Sequence, residues 1–171
     1  MITKIVILGS TKGSSNTKKV LTEIFGQNIP SIFNLSEMNI NPYNYENRNQ
    51  NDDFIPLIEK VIKHDMLILA TPVHWYSVST IMKIFIDRIS DLLDLRRDLG
   101  KQLRNRKLFV IASFGNSIPK GFEENFQQIC DYLGMEYLGT SFICCDHPEK
   151  KGFTEHNQKA LMQAKLICNN S

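Results

Sequence analysis

The stretch Gly9-Ser10-Thr11-Lys12-Gly13-Ser14-Ser15-Asn16-Thr17 gathers five hydroxyls, one side-chain amide and one ammonium into nine positions. These are hydrogen-bond donors accompanied by a single mobile positive charge, the groups that hold an anion. A nucleoside-triphosphate loop would end in Gly-Lys-Ser/Thr, and a dinucleotide fingerprint would carry three glycines at fixed spacing. Neither pattern is present. The donors suit a single dianionic phosphate monoester. The same residue types also cap helices, and the turn taken alone leaves both readings open.

The elements on either side decide what the turn can do. Ile5-Val6-Ile7-Leu8 is continuously apolar and β-branched, as in a strand buried on both faces of a parallel sheet. After the turn, Val20, Leu21, Ile24 and Phe25 fall on one helical face. A helix starting near Asn16 would direct unpaired N–H groups and the positive end of its dipole at the turn, where phosphate binds well.

Further along, Ser31 to Leu35 reads as a second strand, and Asn39 to Asp53, rich in Asn, as a long loop. Asp53 is placed to cap a helix through Phe54, Ile55, Leu57, Ile58, Val61 and Ile62, with Pro56 in its first turn. Met66 to Ala70 is a third strand, expected to end at Thr71-Pro72 because proline withholds a ladder donor. Val78 to Leu95 repeats apolar residues at helical spacing through Val78, Ile81, Met82, Phe85, Ile86, Ile89, Leu92 and Leu93. Lys107 to Ser113 is a fourth strand, Gly121 to Leu133 a helix, Tyr137 to Cys144 a fifth strand and Glu155 to Cys168 a closing helix. Strands alternating with helices require right-handed crossovers. The expected fold class is α/β, a parallel sheet with helices on both faces. Residues 1–171 are expected to form a single domain.

In such a sheet, ligands sit beyond the carboxyl ends of the strands. Three segments converge there: the Ser10 to Thr17 turn, Thr71 to Ser79 and Ser113 to Gly121. The second holds His74, Tyr76 and Trp75, the chain's only tryptophan. Aromatic rings on a loop at this edge can wall a planar heteroaromatic, although Trp75 could simply cover the sheet edge. His74 is either bonded to its own loop or a proton-tuning neighbour of a ligand. In Ser113-Phe114-Gly115-Asn116, the glycine permits close backbone approach and Asn116 offers an amide to a polar ring edge; an ordinary turn has the same composition. A phosphate cradle facing a flat apolar wall points to flavin mononucleotide (FMN).

With these motifs in order, the chain resembles the flavodoxin-like NAD(P)H-dependent FMN reductase and quinone reductase family over nearly its whole length, which implies a flavodoxin-like doubly wound sheet of five parallel strands in the order 2-1-3-4-5 with helices on both faces. Gly9 to Thr17 is similar to that family's Gly-Ser-x-Arg/Lys-x-x-Ser-Asn-Thr loop. Thr71-Pro72-Val73-His74-Trp75 through Lys83-Ile84-Phe85-Ile86-Asp87-Arg88 is similar to its Pro-x-Tyr-Trp to Lys-x-Phe-x-Asp-Arg signature. The resemblance implies that Ser10, Lys12, Ser15, Asn16 and Thr17 hold the FMN phosphate. It places Pro72, Val73, His74, Trp75 and Tyr76 along the isoalloxazine, and Ser113, Phe114, Gly115 and Asn116 on its other edge. It further implies NADPH or NADH as electron donor, a quinone, flavin or other small aromatic acceptor, and a homodimer or homotetramer. The region of Tyr43 and Tyr45 is a candidate contributor to that assembly. No side chain is assigned a catalytic acid or base role, because the cofactor carries the chemistry. Two departures stand out. His74 replaces the tyrosine of many relatives, and the loop before Asp52-Asp53 lacks the cysteine cluster of iron–sulfur relatives, so no thiolate-held cluster is expected.

Composition narrows the remaining classes. Twenty Lys and Arg against 18 Asp and Glu leave a formal charge of +2, too little to suggest nucleic-acid binding. The basic run Arg96, Arg97, Lys101, Arg104, Arg106 and Lys107 precedes the fourth strand, at the end opposite the site. The short Ile5 to Leu8 run is neither a signal peptide nor a membrane span, and a reduced, cytoplasmic setting is the default expectation. Cys144-Cys145-Asp146-His147 is a poor metal site, because adjacent strand residues face opposite ways; no metal is expected. Two rival functions remain: a flavodoxin-type electron carrier and a flavin-binding sensor with little turnover. The pI near 8.3 weighs against the carrier, which would ordinarily be acidic.

Overall fold

Apolar runs that are buried from both sides set the architecture. A computed structural model of the chain describes residues 2–11, 15–46, 49, 51–146 and 152–169. Its parallel strands are β1 (Lys4–Leu8), β2 (Ser31–Asn34), β3 (Met66–His74), β5 (Lys107–Phe114) and β6 (Glu136–Cys144), ordered β2-β1-β3-β5-β6. The two-residue strand β4 (Ser77–Val78) pairs antiparallel with the end of β3, so the expected parallel sheet gains a sixth, short member. Alternate residues of the central strands enter two cores. Ile5, Ile7, Leu67, Leu69 and Val110 pack beneath α2 (Phe54–Val61), α3 (Thr80–Asp87) and α6 (Phe122–Leu133). Val6, Leu8, Ile68, Phe109 and Ile111 pack beneath α1 (Asn16–Phe25) and α7 (Phe153–Asn169).

Three local expectations are corrected. First, β3 does not stop at Pro72 but continues to His74, with Pro72 in register with Ser113. The Gly9 N–H donates to the Ala70 carbonyl, so the ladder with β1 closes there. Carbonyl and amide directions repeat every second residue, so the Pro72 nitrogen faces the side that β1 has left open. Second, Val78 pairs with Val73, and the helix therefore begins at Thr80. The helical run then tightens into a 3-10 turn at Arg88–Ser90 before α4 (Asp91–Asp94), with the short α5 (Arg97–Gly100) following. Third, Asp53 makes no side-chain cap on α2. Its carboxylate accepts instead from the Asn39 N–H at 2.7 Å, while Asp52 accepts from the Phe54 N–H at 3.1 Å.

The loop from Asn39 to Asp53 is fastened by a buried arginine. Arg88 is 1% exposed; it donates to Asp52 and, at 2.7 Å, to Asp91, and also to the carbonyls of Asn41 and Asn49. Its guanidinium carbon lies 4.8 Å from the Phe54 ring centre. Burial opposes the Asp52 charge, but the Arg88 hydrogen bond and the N–H groups of Asn41 and Phe54 prevail and hold its pKa below the usual carboxylate value. Tyr43 is only partly exposed because its ring meets Tyr45 edge-on, with centroids 5.0 Å apart; Tyr45 is the exposed member of the pair. Among the described residues, no helix is long and apolar enough to cross a membrane.

Candidate functional site

Beyond the carboxyl ends of β1, β3, β5 and β6 lies a cleft of about 530 Å³, within the ordinary size of a small-molecule site. One end of it is built by α1. Ser15 is the N-cap, its hydroxyl accepting from the Lys18 N–H at 3.2 Å, so the first N–H groups of the helix open towards the cleft. Ser10, Thr11, Asn16 and Thr17 complete this wall. Thr17 and Ser113 are both buried, and their hydroxyls share a 2.7 Å hydrogen bond that ties the turn to the end of β5.

Helix α3 holds the turn from the other side. The Ser79 hydroxyl donates to the Gly9 carbonyl at 2.6 Å and accepts from the Met82 N–H that opens α3. A Cβ on Gly9 would lie 2.8 Å from the Met82 Cβ, so glycine is needed here to let the helix approach. The first glycine of the motif thus serves helix packing, while Ser10, Thr11, Ser15 and Thr17 after it line the cleft.

The structure brings Ser10, Ser15, Asn16, Thr17, Pro72, Val73, His74, Ser113, Phe114 and Gly115 into one wall. Lys12 lies outside the described residues. Trp75, Tyr76 and Asn116 do not line the cleft. The first two form the tip of the β3–β4 hairpin, 94% and 63% exposed, with φ of 48° and 64°. Two central residues with positive φ define the tight turn whose twist matches a hairpin, a place usually given to Asn-Gly. Because β3 runs on into this hairpin, the aromatics project from the rim instead of lying across the sheet end. Asn116 is exposed one residue beyond Gly115.

Two lining residues escaped the sequence reading: Cys145 and Asp146. The rule that selected the turns after the first, third and fourth strands would have found them had it also been applied after the last. Cys144 joins one core and Cys145 the other, as adjacent strand residues must. Burial, reinforced by Asp146, pushes the Cys145 thiol up to about 11, so it stands in the cleft as a neutral thiol near neutral pH. Arg88 was present in the sequence motif without an assigned role. An Asp87-Arg88 pair inside an otherwise apolar helical repeat was the available signal.

A doubly wound parallel sheet in this strand order, with a cleft at its carboxyl edge that a helix N-terminus borders, defines a flavodoxin-like α/β protein. Residues 3–148 match the family described as NADPH-dependent FMN reductase, and the chain belongs to that family. It is 36% identical over 93 residues to the Bacillus subtilis (strain 168) protein named "Putative NAD(P)H-dependent FMN-containing oxidoreductase YwqN". That alignment takes in 52% of this chain and 51% of the relative, so the chain spans about half the length of the relative it matches. Among solved structures it is similar to the Trp repressor binding protein of B. subtilis (TM-score 0.73, 23% identity, 98% of each chain). It is also similar to an FMN-dependent NADH-azoreductase from Bacillus anthracis (strain Ames Ancestor) in complex with FMN (TM-score 0.67, 13% identity, 99% of each chain). At these identities the two structures show the fold.

Proposed function

We propose that the chain is an FMN-dependent NAD(P)H oxidoreductase, a single flavodoxin-like domain that passes electrons from a nicotinamide cofactor through bound flavin to a quinone, flavin or other small aromatic acceptor. The observation that carries this reading is the convergence of the α1 N-terminus, the end of β3 and the end of β5 on one cleft of cofactor size, in a member of an FMN reductase family. The donor set fits a phosphate: four hydroxyls on Ser10, Thr11, Ser15 and Thr17 stand with the Asn16 amide around a helix N-terminus. Bound FMN supplies a ring that accepts hydride and hands electrons on singly or in pairs.

The chain's residues bind and orient. Ser10, Ser15, Asn16 and Thr17, with Lys12, hold the phosphate. Pro72, Val73 and His74 border one edge of the ring, and Ser113, Phe114 and Gly115 the other. Trp75 and Tyr76 at the hairpin tip flank that ring from the rim and leave one face open. One open face receives donor and acceptor in turn, which gives ping-pong kinetics.

A homodimer or homotetramer is supported by an apolar groove of about 440 Å³ between α3 and α6, which adjoins the hairpin through Ser77 and Val78. The four free cysteines accord with a cytoplasmic setting. The test is an anaerobic titration of the FMN-reconstituted chain with NADPH and NADH, followed by flavin absorbance. Bleaching by either nicotinamide, with steady oxidation when an acceptor is added and no partner protein is present, is expected. Bound flavin that bleaches only with a reductase partner would make the chain an electron carrier, and failure to bind flavin would end the proposal.

A further inference from the structure

Asp146 follows directly after β6 and Cys145, where the last strand's edge meets the phosphate end of the cleft. Its Oδ1 accepts a 3.2 Å hydrogen bond from Nδ2 of Asn16, the first residue of α1 and 130 positions earlier in the chain. Its Oδ2 leans over the end of β5, where a Cβ on Gly115 would lie 2.5 Å away. The carboxylate thus lies close against the end of β5. Among the described residues that line the cleft, Asp146 is the only acidic one.

This position is unexpected for a phosphate site. The first turn of a helix favours negative charge through its dipole and free N–H groups. Here a protein carboxylate already lies at that end, bonded to a side chain that a phosphate would also use. A phosphate dianion entering the same space must take Asn16 from Asp146 or sit beside a fixed negative charge a side chain's width away. Asp146 is exposed, so the repulsion is moderated by solvent and screened by salt.

We propose that Asp146 is a specificity-determining residue that weakens the hold of this cleft on a flavin's phosphate, by placing a negative charge at the α1 N-terminus, where Asn16 holds it. The proposal rests on the assignment of this cleft to FMN. Its consequence is that FMN exchanges with solvent, and that the cleft distinguishes FMN from riboflavin less sharply than its donors alone would allow. A ligand without a phosphate does not meet the repulsion.

The test is a fluorescence titration of the flavin-free chain with FMN and with riboflavin, at low and high ionic strength, for wild type, Asp146→Asn and Asp146→Ala. Both variants should bind FMN about three- to tenfold more tightly at low salt, with a smaller gain at high salt. Riboflavin affinity should stay unchanged. Thermal unfolding of the flavin-free variants should superimpose on wild type, because Asp146 is exposed and its hydrogen bond to Asn16 is at the surface. Equal or weaker FMN binding by Asp146→Asn overturns the proposal, as does an equal gain for riboflavin. Loss of affinity for both flavins would make Asp146 a ligand hydrogen-bond acceptor instead. A gain confined to Asp146→Ala would trace to the broken Asn16 bond and overturn the charge argument. If FMN quenches with none of the three proteins, the cleft assignment falls and the proposal with it, whereas FMN binding unaltered by Asp146→Asn removes the proposal alone.

Discussion

The Thr17–Ser113 hydrogen bond joins two ends of the site through the hydroxyls of two buried residues. Thr17→Val keeps the shape and removes one partner, which leaves the Ser113 hydroxyl unpaired. A buried hydroxyl left in that state costs about 1–3 kcal/mol, and chemical denaturation should show a loss in this range. FMN affinity should fall by about tenfold as well, because the same hydroxyl lines the cleft. Riboflavin affinity should change less, which separates a phosphate contact from a general loosening. Gly9 is a different case. Gly9→Ala would set its methyl against the Met82 side chain and force α3 outward; a destabilisation of about 1–3 kcal/mol is expected from such overpacking. Only the first of these roles was legible in the sequence. Hydroxyls before a helix signal anion binding by their chemistry, whereas the need for glycine at 9 arises from a helix that starts 71 positions later.

The β3–β4 hairpin shows what element-level reading can and cannot reach. Apolar runs and helical periods placed the parallel strands because both signals are local and repeated. The hairpin was missed because Trp75-Tyr76 carries none of the Asn-Gly chemistry that marks a tight turn. Bulky residues in left-handed geometry are strained, by roughly 1–2 kcal/mol each. Replacing both, as Trp75→Asn with Tyr76→Gly, should therefore raise stability by about 1–3 kcal/mol in a denaturant titration. The same change should slow turnover with NADPH if the aromatics flank the flavin; unchanged turnover would leave the tip without a part in the reaction. The Asn39–Asp53 loop was read as a loop, but its clamp was not, since Asp52 and Arg88 lie 36 residues apart. Asp52 has a folded-state pKa below its unfolded value. Its contribution to stability is thus fully present above the ordinary carboxylate value near ~3.9 and is lost as the pH falls through the lower folded value. Asp52→Asn leaves Arg88 buried with one carboxylate fewer. It should cost about 3–5 kcal/mol at neutral pH and flatten the acid limb of the stability profile.

At the scale of the molecule, the alternation of strands and helices yielded a parallel sheet covered on both faces, because each crossover has one allowed hand, while the strand order came with the family resemblance. Surfaces that mate with another copy leave no such signal. The α3–α6 groove is lined by Ile86, Ile89, Leu93, Phe126 and Ile129, all of which also serve helix packing, so periodicity records them as core. Tyr132 separates the two uses. It lines the same groove yet is 73% exposed, so it contributes little to holding the isolated chain together. If a second copy covers the groove, Tyr132 is buried there and a charge at its position is desolvated without a partner. Tyr132→Glu should then lower the mass seen by sedimentation from that of a dimer or tetramer to that of a 19.7 kDa chain. The unfolding of the dilute monomer should be little altered, because the substituted side chain faces water in it. Loss of folding along with assembly would mean that the chain is not stable alone. An oligomer that survives Tyr132→Glu would place the contact on another face, and the hairpin tip with its exposed Trp75 would be the next surface to charge.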